Sequence, residues 1–128
     1  MNLKELTMQY LQEEGFCPKD EEYGIDFKCE GRLFTLLYDS NDDQYFRLMM
    51  PNIYQVIDEN RDIVMLALNE TNANVKVVKA YTPIPESVWI GFEVLIDSTP
   101  VLDDIVPRAL AMLRGAQQEF YKAIENLS

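Results

Sequence analysis

Twenty-two carboxylates and two thiols make up the reactive inventory of this chain, and no histidine accompanies them. Without imidazole, the commonest general base and the commonest metal ligand are both missing, and no serine or cysteine triad can be assembled. Acid pairs at Glu13-Glu14, Asp20-Glu21-Glu22, Asp42-Asp43, Asp58-Glu59 and Asp103-Asp104 have the residue types of a two-carboxylate glycosidase. Each falls at a helix end or turn, where carboxylates serve capping and solvation; of the carboxylates weighed for catalysis, Asp26 and Glu93 fall inside strands. Cys17 or Cys29 as a nucleophile would lack its base. Asp39-Ser40-Asn41-Asp42-Asp43 starts like a calcium loop, but Gln44 and Met50 stand where that loop needs glycine and a bidentate acid. Asn69-Glu70-Thr71 and Asn126-Leu127-Ser128 match the short glycosylation pattern, which arises readily by chance. Neither catalytic residues, nor a metal, nor a cofactor is expected.

The bulk properties narrow the partners. The net charge is −11 in 128 residues, and the eleven bases are spread singly along the chain. Phosphate backbones are bound by displacing counterions with clustered Lys and Arg, so direct nucleic-acid binding is not expected. Adsorption to an anionic membrane is disfavoured for the same reason. No apolar run approaches the roughly 18 residues that cross a bilayer, and Met1-Asn2-Leu3-Lys4-Glu5-Leu6 does not read as a signal peptide. A cytoplasmic location is the expectation, with Cys17 and Cys29 as free thiols.

These residues must be held by something, and the length predicts one domain over 1–128. Leu3, Leu6, Tyr10 and Leu11 form the stripe of a first helix over 2–14, ended by Gly15. Pro18 to Glu22 reads as a polar turn. Ile25, Phe27 and Cys29 then alternate with polar neighbours, and Glu30-Gly31-Arg32 predicts a tight hairpin into a strand from Leu33 to Tyr38. A third strand runs from Tyr45 to Pro51. These second and third strands are apolar on both faces, so both faces require cover. A second helix follows over 60–73, then a strand from Val75 to Tyr81 and a turn over 82–86. Val88, Ile90, Phe92, Val94 and Ile96 share one face of a fifth strand, and Leu102, Ile105, Ala109, Leu113, Ala116, Phe120 and Ile124 stripe a last helix. Pro107 either kinks that helix or marks a later start.

The order is α-β-β-β-α-β-β-α, an α+β domain with a five-stranded antiparallel sheet. The first and last helices are expected on one face and the middle helix elsewhere, near a self-association surface. In this order Asp26-Phe27-Lys28-Cys29-Glu30-Gly31-Arg32-Leu33-Phe34, the strand Tyr45-Phe46-Arg47-Leu48-Met49-Met50-Pro51, and Leu68-Asn69-Glu70-Thr71-Asn72 before Val75-Lys76-Val77-Val78-Lys79 resemble the YbjN-like family. That family consists of bacterial proteins regarded as sensory-transduction regulators, with the type III secretion chaperone-like fold. The resemblance spans nearly the whole chain and rests on structural motifs. It implies a small acidic homodimer that binds a protein client, and it supplies no catalytic residue.

The sequence therefore points to a non-enzymatic protein- or peptide-binding module, chaperone-like or regulatory. The alternatives are a structural subunit of a larger assembly, or an enzyme using carboxylates without histidine. Trp89, Leu95, Met65 and Leu66 are the candidate self-association or partner surface. Trp89 is placed opposite the core by alternation with its apolar neighbours.

Overall fold

A computed structural model describes residues 1–128. The elements are α1 (Leu3–Glu13), β1 (Lys19–Glu21), β2 (Gly24–Cys29), β3 (Arg32–Leu37), β4 (Tyr45–Gln55), α2 (Arg61–Asn74), β5 (Val78–Ile84), β6 (Ser87–Leu95) and α3 (Leu102–Leu127). The strands form one antiparallel sheet in the order β1-β2-β3-β4-β6-β5. The sheet thus has six strands, one more than the alternation predicts. The addition is β1, where Lys19 pairs with Asp26 and Glu21 with Gly24 in the segment read as a polar turn. An edge strand of three charged residues carries no apolar period, so periodicity cannot reveal it.

Alternation and register define two sheet faces. On one, Ile25, Phe27, Phe34, Leu36, Phe46, Leu48, Met50, Val78, Ala80, Val88, Ile90 and Phe92 join a continuous core. The helices close this core from one side. α3 contributes Val106, Ala109, Leu110, Leu113, Ala116 and Phe120 at three- and four-residue spacing, and the helix runs unbroken through Pro107. α1 carries a capping box between Asn2 and Glu5 and is tied down from two directions. The Leu3 N–H donates to Asp43 at 2.8 Å, and Lys4 pairs with Asp20 at 2.5 Å.

α2 departs from the expectation. It lies in the same helix layer as α1 and α3, beside α3 and along β5, because Val64, Ala67, Leu68 and Thr71 make a buried stripe. Asn72 fixes it to the sheet margin, accepting from the Ala80 N–H at 2.7 Å and donating to the Ala80 carbonyl at 3.0 Å. All three helices therefore cover one face, and the other face of the sheet carries none.

Two turns account for much of the register. Glu30 and Gly31 have φ of +51° and +78°, the pair of positive values that a two-residue hairpin requires. Gly24 has no alternative, since a Cβ there would lie 1.8 Å from the Leu36 carbonyl oxygen.

Candidate functional site

The uncovered face is built from the residues that alternate with the core set. Pairing places Asp26 beside Thr35, Lys28 beside Leu33, Thr35 beside Met49, Arg47 beside Glu93, Tyr45 beside Leu95, and Tyr81 beside Trp89. Its centre is low and its rim is raised. Met49 is fully buried because it lies across Gly91, where a Cβ would meet its sulfur at 2.8 Å. Around that centre stand half-buried Trp89, Tyr81 and Leu37, with Leu33 and Leu95 exposed.

Trp89 is held by its neighbour across the β4 irregularity. The indole N–H donates to Asn52 Oδ1 at 3.1 Å, and the Ser87 hydroxyl donates to the same oxygen at 2.7 Å. Asn52 can reach both because the β4–β6 register shifts between Met50 and Tyr54, where Asn52 adopts a φ of +52°. The ring is therefore fixed in place as a flat apolar surface with its polar atom satisfied.

The charges of this face nearly balance, and one ion pair forms among them. Glu93 accepts from Lys79 at 2.6 Å, and burial holds its carboxyl above the usual range despite that ammonium. Arg47, directly across from Glu93 in register, lies 5.0 Å over the Tyr45 ring and has a shielded Nε without a hydrogen-bond partner. Asp26 accepts from the Thr35 hydroxyl at 2.7 Å and from the Tyr23 hydroxyl at 2.5 Å; that second bond pushes the phenol up to about 12. Lys19, Lys28, Arg47 and Lys79 oppose Glu21, Asp26 and Glu93 here, a net +1. Seven bases and nineteen acids share the rest of the molecule, a net −12.

Strand addition is hindered along β1 and along most of β5. β1 is three charged residues long and follows Pro18, which has no N–H to offer. On β5, Ala80 is occupied by Asn72, the Val78 N–H donates to the Lys76 carbonyl at 2.7 Å, and Pro83 lacks a donor.

The four sequence-predicted surface residues do not form one patch. Trp89 and Leu95 stand on the uncovered face, whereas Met65 and Leu66 are exposed on α2, in the helix layer. The difference follows from α2 joining α1 and α3 instead of lying apart from them. Sequence reasoning missed Arg47, Tyr81, Lys79 and Asn52, since their juxtaposition depends on cross-strand register and a bulge. Elsewhere, Cys17 and Cys29 are free thiols. Cys29 accepts from Arg114 at 2.9 Å in the helix layer. Glu93 and Asp26 are separated by two intervening strands, and no three His, Cys, Asp or Glu side chains cluster as metal ligands. No helix is long and apolar enough to cross a membrane.

Comparison with known proteins locates the fold. No family model matches the chain, and no curated protein matches it. Among solved structures, an uncharacterised protein of Methanothermobacter thermautotrophicus is similar at a TM-score of 0.66 and 14% identity, covering 98% of this chain and 99% of its own. YbjN of E. coli, described as a proposed transcription regulator, is similar at a TM-score of 0.66 and 10% identity, covering 94% of this chain and 87% of its own. The chain has the YbjN-like fold.

Proposed function

We propose that this protein is a non-enzymatic protein-binding module of the regulatory or chaperone-like kind, and that its resident partner on the uncovered sheet face is a second copy of itself. The observation that carries the reading is the bare face itself: a six-stranded sheet with all its helices on one side, and a fixed tryptophan on the other. A sheet face that mixes exposed Leu33 and Leu95 and half-buried Trp89 and Tyr81 with near-balanced charge has the composition of an interface.

Three features favour a second copy. Hindered addition along β1 and most of β5 favours face-to-face docking as the symmetric arrangement. The +1 face lets two copies meet there, while any approach through the −12 remainder is repelled. Spanning six strands of about seven residues, the face measures roughly 550 Å² in projection. Two such faces approach the lower end of stable interfaces, about 1,200 Å² in total. A two-fold pairing also gives Arg47 of each copy a route to the partner's Glu93, the acid beside it in its own sheet.

The description of YbjN supports a regulatory role, and the charge implies that such a role runs through protein contacts rather than DNA. Affinity capture of the tagged chain with mass spectrometry tests the function. One heterologous protein recovered in stoichiometric amount is expected beside the chain itself. Recovery of the chain alone would favour a structural subunit and overturn the adaptor reading.

A further inference from the structure

β6 outruns β5 at one end. Val78 lies opposite Phe92, and beyond that pair Glu93, Val94 and Leu95 keep their β4 partners but have no strand on the other side. The chain that would have extended β5 turns away at Val77, whose φ is +70°, closing a three-residue turn from the Val78 N–H to the Lys76 carbonyl.

The direction of the free backbone groups follows from the ladder. In an antiparallel sheet, residues alternate in aiming their N–H and C=O at one neighbour and then the other. Ala80 aims outward to Asn72, so Lys79 and Tyr81 aim at β6, and Gly91 and Trp89 aim back at them. By the same alternation Glu93 and Leu95 aim at the vacant side. The Ile96 N–H, which donates to the Gln44 carbonyl at 2.8 Å, belongs to the opposite set. Four backbone groups thus face outward without a partner in the chain. Next to them, between the end of β6 and the first turns of α3, runs a groove of about 510 Å³ lined chiefly by apolar side chains, among them Val94, Ile96, Ile105 and Met112. Three of the most exposed apolar residues, Leu95 at 74%, Val101 at 62% and Val77 at 59%, line the same groove.

We propose that this bare stretch of β6 receives an extended segment of a partner protein as an added strand, apolar at alternate positions and basic at those between. The proposal rests on the protein-binding reading and uses a strand edge that adjoins the self-association face at Glu93 and Leu95. An added strand in line with β5 sends its apolar side chains down into the groove. The intervening residues lie directly opposite Glu93 and Leu95 and share their face, so they present both the backbone donors and a cross-strand side chain. A basic side chain there shares Glu93 with Lys79, and the adjoining groove carries Asp97 and Asp104 against the single base Arg108. An acidic segment would meet those carboxylates and the net −12 borne by the rest of the molecule.

The test uses a fluorescein-labelled Lys-Val-Lys-Val-Lys-Val peptide, read by anisotropy against the full chain. Binding is expected, and methylating the backbone nitrogens of the lysines is expected to weaken it by at least about tenfold, since each lost bond is worth roughly 1 kcal/mol. A Glu-Val counterpart should bind at least about tenfold more weakly, since it sets several like charges beside Glu93, Asp97 and Asp104. Leu95→Pro removes an outward donor without touching the β4 ladder and should lower affinity similarly, with native circular dichroism. Equal binding of the methylated or Glu-Val peptide, or no binding at all, would overturn the assignment. Binding that declines as the protein concentration rises would give the edge to a second copy, which also contradicts it. Native mass in the same samples separates the two proposals: a dimer without peptide binding sinks the edge site alone, and peptide binding by a single chain sinks the dimer alone.

Discussion

The side-chain amide of Asn72 on α2 and the backbone of Ala80 in β5 exchange two hydrogen bonds, 2.7 and 3.0 Å long. The pair reproduces the pattern of a neighbouring strand with one side chain. It joins helix to sheet and closes the edge at the point where β5 is otherwise bare. Asn72→Ala should destabilise the fold by about 1–2 kcal/mol, through two lost bonds and exposure of the edge to pairing. Chemical denaturation and turbidity on warming measure the two effects. An unchanged midpoint and no added turbidity would show that water serves Ala80 equally well.

Val77 holds the opposite kind of position. A β-branched residue at a φ of +70° is strained, and this one is exposed at the turn that ends β5. Val77→Asn or Val77→Gly should therefore raise stability, by about 0.5–1 kcal/mol. Thermal melts decide it. A loss of stability in both variants would mean that packing of the Val77 methyls outweighs the backbone strain.

Tyrosines give the pH response a definite sign. The Asp43 carboxylate, accepting from Tyr38 at 2.6 Å, pushes that phenol up to about 12, as Asp26 does for Tyr23; burial raises Tyr10 and Tyr81. The native state then keeps protons that the unfolded chain releases near pH 10, so this stability is intact below that pH and is lost as pH climbs toward 12. Asp43, lowered by its bond from the Leu3 N–H and then by Tyr38, works in the acid range. Its contribution is present above its unfolded value of 3.8 and lost as pH falls below it. Tyr23→Phe with Tyr38→Phe should flatten the alkaline limb of a stability–pH profile and leave neutral stability less affected. A limb of unchanged steepness would contradict the assignment.

Much of the fold is legible in the sequence, and the illegible parts share a cause. Helix stripes such as Leu3, Leu6, Tyr10 and Leu11, and the alternation from Val88 to Ile96, announce themselves because one side is apolar. β1 does not, because Lys19, Asp20 and Glu21 have no apolar side. Trp89 could be assigned to its face by counting residues. Its anchor Asn52 could not, since the bulge between Met50 and Tyr54 breaks the count. The placement of α2 was equally hidden: Val64, Ala67 and Leu68 show that it buries a face, but not against which layer.

The charge distribution predicts the outcome of a nucleic-acid assay. Four bases on the uncovered face are offset by three acids beside them, which is too little excess to displace counterions from a backbone. No mobility shift is expected with mixed-sequence DNA or RNA at about 150 mM salt. Submicromolar binding under those conditions would contradict the protein-partner reading of any regulatory role.

A second copy on the uncovered face would show in the native mass and in the emission of Trp89, the only tryptophan. Light scattering at roughly tens of micromolar chain, a range that populates micromolar dimers, should give the mass of two chains. Trp89 emission should be blue-shifted there and move red on dilution. Leu95→Glu should produce the same red shift and the mass of one chain, with native far-ultraviolet circular dichroism. A mass of one chain, with emission unchanged by dilution, would mean that the face stands open and that the account of it is wrong.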